Sequence, residues 1–185
     1  MTDPNDVNGN LARDYLIGAE NFLSAADKIC AHTDENTEEW LFKLESPVIF
    51  LLGHSAELIL KSALTKLNLL TKDIKYSHDL ILLMECLQRA QRPIDPDFAR
   101  DAATINDNFK SHDQRYQRAF SGFPEEQHER LMQLTSKNTQ EAKQELRNYG
   151  LIVRRGVNAK GFLLACHKQL SLTSNWVYSP LDRPN

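Results

Sequence analysis

Glycine is too sparse and too scattered here to build a phosphate cradle. The seven glycines never fall into a GxGxxG or GxxxxGK pattern, which excludes the Gly-rich loops of dinucleotide and P-loop sites. No GxSxG occurs either, so the serine turn of the α/β-hydrolases is excluded. The three cysteines, Cys30, Cys86 and Cys166, lie far apart in apolar stretches, with no CxxC and no Cys/His zinc spacing. That odd, scattered set fits a reducing compartment and carries no disulfide framework. Alternating apolar and polar residues, the mark of a half-buried strand, are scarce. The longest apolar run, Pro47–Gly53, falls far short of the roughly 20 residues a bilayer span needs. The opening MTDPNDVNGN is polar and has no signal-sequence pattern. A cytoplasmic protein with no membrane association is therefore expected, and no motif calls for a cofactor or a resident metal. The net charge of -3 argues against broad, non-specific nucleic-acid binding but permits a local basic patch.

What the chain does have is helical periodicity. Its 185 residues suit one domain, and at this length one core can bury roughly 70% of the surface an unfolded chain exposes. We expect an all-α, up-and-down helical bundle of about five helices over residues 10–178. Residues 1–9 and 179–185 read as loose ends, with Pro4, Pro180 and Pro184 blocking helix. The first helix is predicted from Asn10 to His32, with Leu11, Tyr15, Phe22, Ala25 and Ile29 on or near one stripe. An acidic stretch, TDENTEEW, follows, and Trp40 and Phe42 are expected to lid the bundle. The second helix opens at Ser46-Pro47, with serine as N-cap and proline in the first turn, and runs to Leu69. Val48, Ile49, Leu52, Ile59, Leu60, Ala63 and Leu67 cover more than half its circumference, so it should be the central, most buried rod. A third helix starts at an N-cap Ser77 and stops before Pro93. A fourth starts at Asp95-Pro96 with Phe98, Ala102, Ile105 and Phe109 inward. A polar loop over 110–124 and a short helix over Glu125–Leu134 precede a last helix, predicted over Thr139–Leu170. On it Ala142, Leu146, Tyr149, Val153, Val157 and Leu164 share a face, and Gly156–Gly161 mark a break point. Trp176 is placed to pack back on the bundle.

The second helix carries the most informative polar residues. His54, Glu57 and Lys61 stand at i, i+3 and i+7, so they form one narrow file on an otherwise apolar rod, and Asn68 continues it. Ionisable groups in such surroundings need partners, because an unpaired buried charge is costly. Two readings fit: the three pair among themselves and with other helices, or they line a groove for a ligand or partner. His78-Asp79 follows after the turn KDIKYS, and at a helix start both suit local capping and the helix dipole.

HSAELILKSALTKL followed by KYSHDLILLMECL resembles the two central helices of HEPN domains, which carry H-x-x-E-x-x-x-K among leucines and then a helix opening with His-Asp-Leu. HDQRYQRAF, with Arg115 and Tyr116, resembles the loop after the fourth helix in many members. The resemblance covers residues 48–90 and extends more weakly over 10–30, 96–120 and 140–168. It implies a helical bundle that forms a homodimer. Many members are metal-independent ribonucleases whose Arg-x4-6-His motif lies on the last long helix. No arginine here has histidine at that spacing, and Arg155 and His167 are too far apart. Members without the motif are thought to bind nucleotide or RNA, or to act as partners of separately encoded nucleotidyltransferases, as in two-protein toxin–antitoxin or defence systems. The residues this implies for ligand binding are His54, Glu57, Lys61, His78, Asp79, Arg115 and Tyr116.

The last predicted helix adds a basic flank. Between Lys143 and Lys168 stands a single acid, Glu145, and Lys143, Arg147, Arg154 and Lys168 project into one sector beside the apolar face. Such a stripe suits phosphate or RNA contact, or is simply a solvated flank. Two enzymatic alternatives remain open at this stage. One is a ribonuclease toxin with a degenerate site built on His112, Arg115 and Arg118. The other is a metal phosphohydrolase using His54, His78 and Asp79, with Asp101 or Asp107 as the last ligand. Glu125-x-x-His128 has the spacing of a di-metal ligand pair but lacks the second pair such sites require.

Overall fold

The computed structural model describes residues 7–33, 44–110 and 158–179. Among them there is no strand, and six helices pack on one another as an all-α bundle. They are α1 (Val7–Ala31), α2 (Glu45–Lys66), α3 (Lys72–Lys75), α4 (Leu80–Arg89), α5 (Pro96–Lys110) and α6 (Ala159–Val177). The predicted lid of Trp40 and Phe42, the loop over 110–124 and the helix over Glu125–Leu134 lie outside the described residues.

α2 is the central rod, as its apolar circumference implies. It packs against α1, α4, α5 and α6, and Val48, Leu52, Ala56, Ile59, Leu60, Ala63 and Leu64 are all buried. The segment Pro47–Lys66 is, by length and composition alone, apolar enough to cross a membrane, which the short run Pro47–Gly53 did not suggest. Within the protein, however, 72% of its most apolar window is buried, so the core already accounts for that greasiness.

α1 meets α2 through a stripe that sequence periodicity misassigned. The buried residues are Gly9, Ala12, Leu16, Ala19, Leu23, Ala26 and Cys30, spaced three and four apart, as in a coiled-coil seam. The predicted stripe of Leu11, Tyr15, Phe22, Ala25 and Ile29 is only half-buried and forms the adjoining flank. Small residues win the seam because they let the backbones approach. Ser55 Oγ donates to the Ala19 carbonyl at 3.1 Å and Ser62 Oγ to the Ala12 carbonyl at 2.7 Å. Asn8 donates to Asn68 at 2.6 Å, and a Cβ on Gly18 would lie 3.0 Å from Leu58 Cδ1. Residues advancing along α1 thus meet residues receding along α2, so the two helices are antiparallel. α6 runs back along α1 in the same sense, with His167 Nε2 2.9 Å from Asp27 and the Arg13 guanidinium 5.7 Å from the Tyr178 ring centroid.

Several helix ends differ from expectation. α1 starts at Val7, so residues 7–9 are helical rather than loose. α2 begins at Glu45 with Leu44 as N-cap, not Ser46, and Pro47 sits inside the first turn, where its missing N–H breaks no helical bond. It stops at Lys66 because Asn68 turns left-handed at φ 58°. Asn68 N–H bonds to the Thr65 carbonyl and Leu69 N–H to the Leu64 carbonyl, which is a Schellman ending. Asn68 therefore closes the helix and does not continue its polar file. α4 ends the same way, with Gln91 at φ 55° and Arg92 N–H bonded to the Leu87 carbonyl. α4 is capped by Asp79, whose side chain accepts from Leu82 N–H at 3.1 Å, and not by Ser77, whose Oγ accepts from Asp79 N–H. α6 starts afresh at the N-cap Asn158, which accepts from Gly161 N–H at 2.9 Å, and continues past Leu170 to Val177. The break near Gly156–Gly161 is thus real. It resets the helical phase: Leu164, projected inward from upstream, is 64% exposed, while Phe162, Leu163 and Cys166 point into the core. Trp176 packs against the core, with the Arg92 guanidinium 5.5 Å from its ring centroid.

Candidate functional site

The polar file on α2 converges on one carboxylate. Glu57 and Lys61 are one turn apart, each 4% exposed, and Lys61 Nζ lies 2.6 Å from Glu57 Oε1. Glutamate ahead of lysine at i, i+4 is the favourable order on a helix. From the α3–α4 connection His78 reaches across, its Nδ1 3.0 Å from both carboxylate oxygens. A carboxylate only accepts, so Nδ1 carries the proton, and a neutral His78 has its lone pair on Nε2. His54 Nδ1 stands 3.9 Å from Glu57 Oε2, close enough to feel the charge and too far for a hydrogen bond. Of the two readings of the file, the pairing one is therefore realised. Removing a carboxylate and an ammonium from water costs several kcal/mol each, offset only where geometry is good and the remaining lone pairs are met. Glu57 meets both conditions.

His54 is placed by aromatic rings that the sequence reading did not associate with it. Phe22 of α1 stacks on it at 5.3 Å between centroids, and Phe50 and Phe109 meet it edge-on at 4.4 and 5.1 Å. Phe109 of α5 reaches this position because residue 53 has no side chain: a Cβ there would sit 2.5 Å from the Phe109 ring. The signals for this cluster were the i, i+4 pair Phe50/His54 and the i, i+7 pair Tyr15/Phe22, which put aromatics on the two facing flanks. Tyr15 lies one helical repeat from Phe22, level with Lys61 in the α1–α2 register. Burial raises its phenol pKa above the ordinary value, and the Glu57 carboxylate and then Tyr76 add to the rise. Tyr76, at the end of α3, is 68% exposed.

Asp79 is not aimed at this hub; its carboxylate caps α4. The first two N–H groups of α4 are met from α5, where buried Asn106 Oδ1 accepts from Leu80 at 2.7 Å and from Ile81 at 3.4 Å. The sequence thus brings together His54, Glu57, Lys61 and His78, and places Asp79 beside them in a different role. Arg115, Tyr116, Lys143, Arg147 and Arg154 lie outside the described residues, as do His112 and Arg118. Lys168 is described, and it faces Asp97 of α5 at 3.6 Å. Because α6 begins at Ala159, Lys168 does not share one continuous helix with the upstream basic residues. Among the described residues no group of three His, Cys, Asp or Glu side chains is disposed to hold a metal ion.

No family model matches the chain, and no curated protein or solved structure matches it either.

Proposed function

We propose that the protein is a non-catalytic binding and interaction module of HEPN-like type, whose ligand is a nucleotide or RNA, or which docks a protein partner of the nucleotidyltransferase kind. The observation that supports this reading is the buried Glu57 with Lys61 at 2.6 Å and His78 at 3.0 Å. It unites the H-x-x-E-x-x-x-K file with the His-Asp-Leu start of the next helix in one seam. A preset ion pair at the floor, with tyrosines and imidazoles around it, is suited to orienting a bound group. In this reading Arg115 supplies the planar fork that grips phosphate, with Tyr116 beside it and Lys143, Arg147 and Arg154 as further contacts. The working form is a cytoplasmic homodimer.

The test is binding of labelled single-stranded RNA and of mononucleotides at several salt concentrations, with a parallel cleavage assay in the presence and absence of EDTA. Saturable binding that weakens with salt and with Arg115→Ala, without cleavage, is expected. Metal-independent cleavage lost in His112→Ala would replace this reading with the degenerate ribonuclease. Cleavage abolished by EDTA would replace it with the phosphohydrolase, in which Asp79 would have to leave its capping bond.

A further inference from the structure

The charge and the aromatic setting of the hub together specify what kind of group it can receive. Lys61 is the cation deepest in the hub, and its ammonium is already engaged by Glu57 at 2.6 Å. The pair is neutral as a unit, and both members are 4% exposed. A phosphate entering over this floor would meet the Glu57 carboxylate with no uncommitted lysine to balance it. A neutral planar ring meets no such repulsion. The surroundings are rich in rings: Tyr15 on the α1 flank, His78 and Tyr76 on the α3–α4 connection, and then His54 and Phe50 along α2. Phe50 is on the exposed side of its helix, and Tyr76 is the most open ring of the set. Phenol groups donate and accept hydrogen bonds, as the edge of a heteroaromatic base does, and exposed aromatic faces accept any base by stacking.

We propose that the rim formed by Tyr15, Tyr76 and His78 over the Glu57–Lys61 pair is a seat for an unpaired nucleobase, and that the phosphate of the same ligand is bound elsewhere. This rests on the nucleotide- or RNA-binding reading given above. It divides the work: the hub holds the base, and arginines outside the hub hold the phosphate. A base in a duplex keeps its face and edge occupied, so single strands or free nucleotides are the ligands. The chemistry is shared by both sources.

The test uses the full chain with adenosine, AMP, ribose 5-phosphate, a single-stranded RNA oligonucleotide and its duplex, against wild type and Tyr76→Ala. Tyr76 is so exposed that the variant keeps the fold, which its helical circular dichroism and melting temperature check. Adenosine and AMP are expected to compete with the labelled single strand, while ribose 5-phosphate and the duplex do not. Tyr76→Ala should weaken the single strand, adenosine and AMP by the same factor, roughly 5- to 100-fold for the loss of one stacking platform. Binding of the single strand that responds to Tyr76→Ala, but is not displaced by mononucleotides, would support the base seat and assign it to RNA. Ribose 5-phosphate competing as well as AMP, or binding indifferent to Tyr76→Ala, would overturn the base seat and leave the module reading standing. Absence of binding to every one of these ligands would overturn both.

Discussion

Replacing Lys61 by methionine keeps the length and apolar stem of the side chain and removes only its charge. The Glu57 carboxylate then stays 4% exposed, without the ammonium that lay 2.6 Å away. Breaking a buried pair from one side costs about 3–5 kcal/mol. For a domain of this size each kcal/mol moves the midpoint by about 2–4 °C, so the melting temperature should drop by roughly 6–20 °C. Glu57→Gln should cost a similar amount, because it strands the ammonium. The double variant Glu57→Gln/Lys61→Met leaves no buried charge at all. It should therefore be more stable than either single variant, since replacing both partners of a buried pair is often close to neutral. Urea and thermal unfolding followed by circular dichroism at neutral pH give the four values of the double-mutant cycle, and their non-additivity is the interaction itself. If each single change cost less than about 1 kcal/mol, or if the double variant lost the sum of the two, the pair would be behaving as a solvated surface bridge. The account of a desolvated hub would then fail.

Three further outcomes follow from the geometry. Tyr15 deprotonates later in the folded protein than its ordinary value of 10.0, because of burial and then Glu57. Its contribution is thus whole below that pH and fades as pH climbs toward the raised folded value; stability measured across pH 8–11 should flatten in Tyr15→Phe, and an unchanged slope would contradict the assignment. Gly53→Ala puts a Cβ within 2.5 Å of the Phe109 ring, and displacing that ring should cost about 1–3 kcal/mol and shift the His54 ring protons in NMR spectra. Gln91 holds φ 55°, a conformation that penalises any Cβ, so Gln91→Gly should raise the unfolding free energy by up to about 1 kcal/mol in denaturant titrations; a loss would show that the turn is held by the glutamine side chain.

The parts of the fold legible in the sequence were those set by long, uninterrupted period. α2 announced itself by apolar residues on most sides, and its polar file kept helical phase through His54, Glu57 and Lys61, so three hub residues were readable in advance. His78 was readable as a motif residue but not as the partner of Glu57, because that bond crosses between helices. The α1 seam was misread because counting apolar bulk favours Tyr15 and Phe22, whereas close backbone approach selects Gly9, Ala12, Ala19 and Ala26. Helix ends were misread where a plausible cap stood near a better one: Ser77 lies two residues before Asp79, and only tertiary position chooses between them. The stops at Asn68 and Gln91 were hidden because neither is glycine. Leu164 was misplaced because phase does not propagate through the Asn158 cap.

α4 is ten residues long, too short to persist by itself in water. Its opening is finished by an amide oxygen belonging to Asn106, 26 positions downstream. A chain still emerging from the ribosome therefore leaves this rod unstitched until α5 arrives, and His78, just ahead of it, waits with it. Assembly of the hub is thus a late event in which the downstream helix brings the imidazole to the acid, so any segment cut before residue 106 would carry the motif without its geometry.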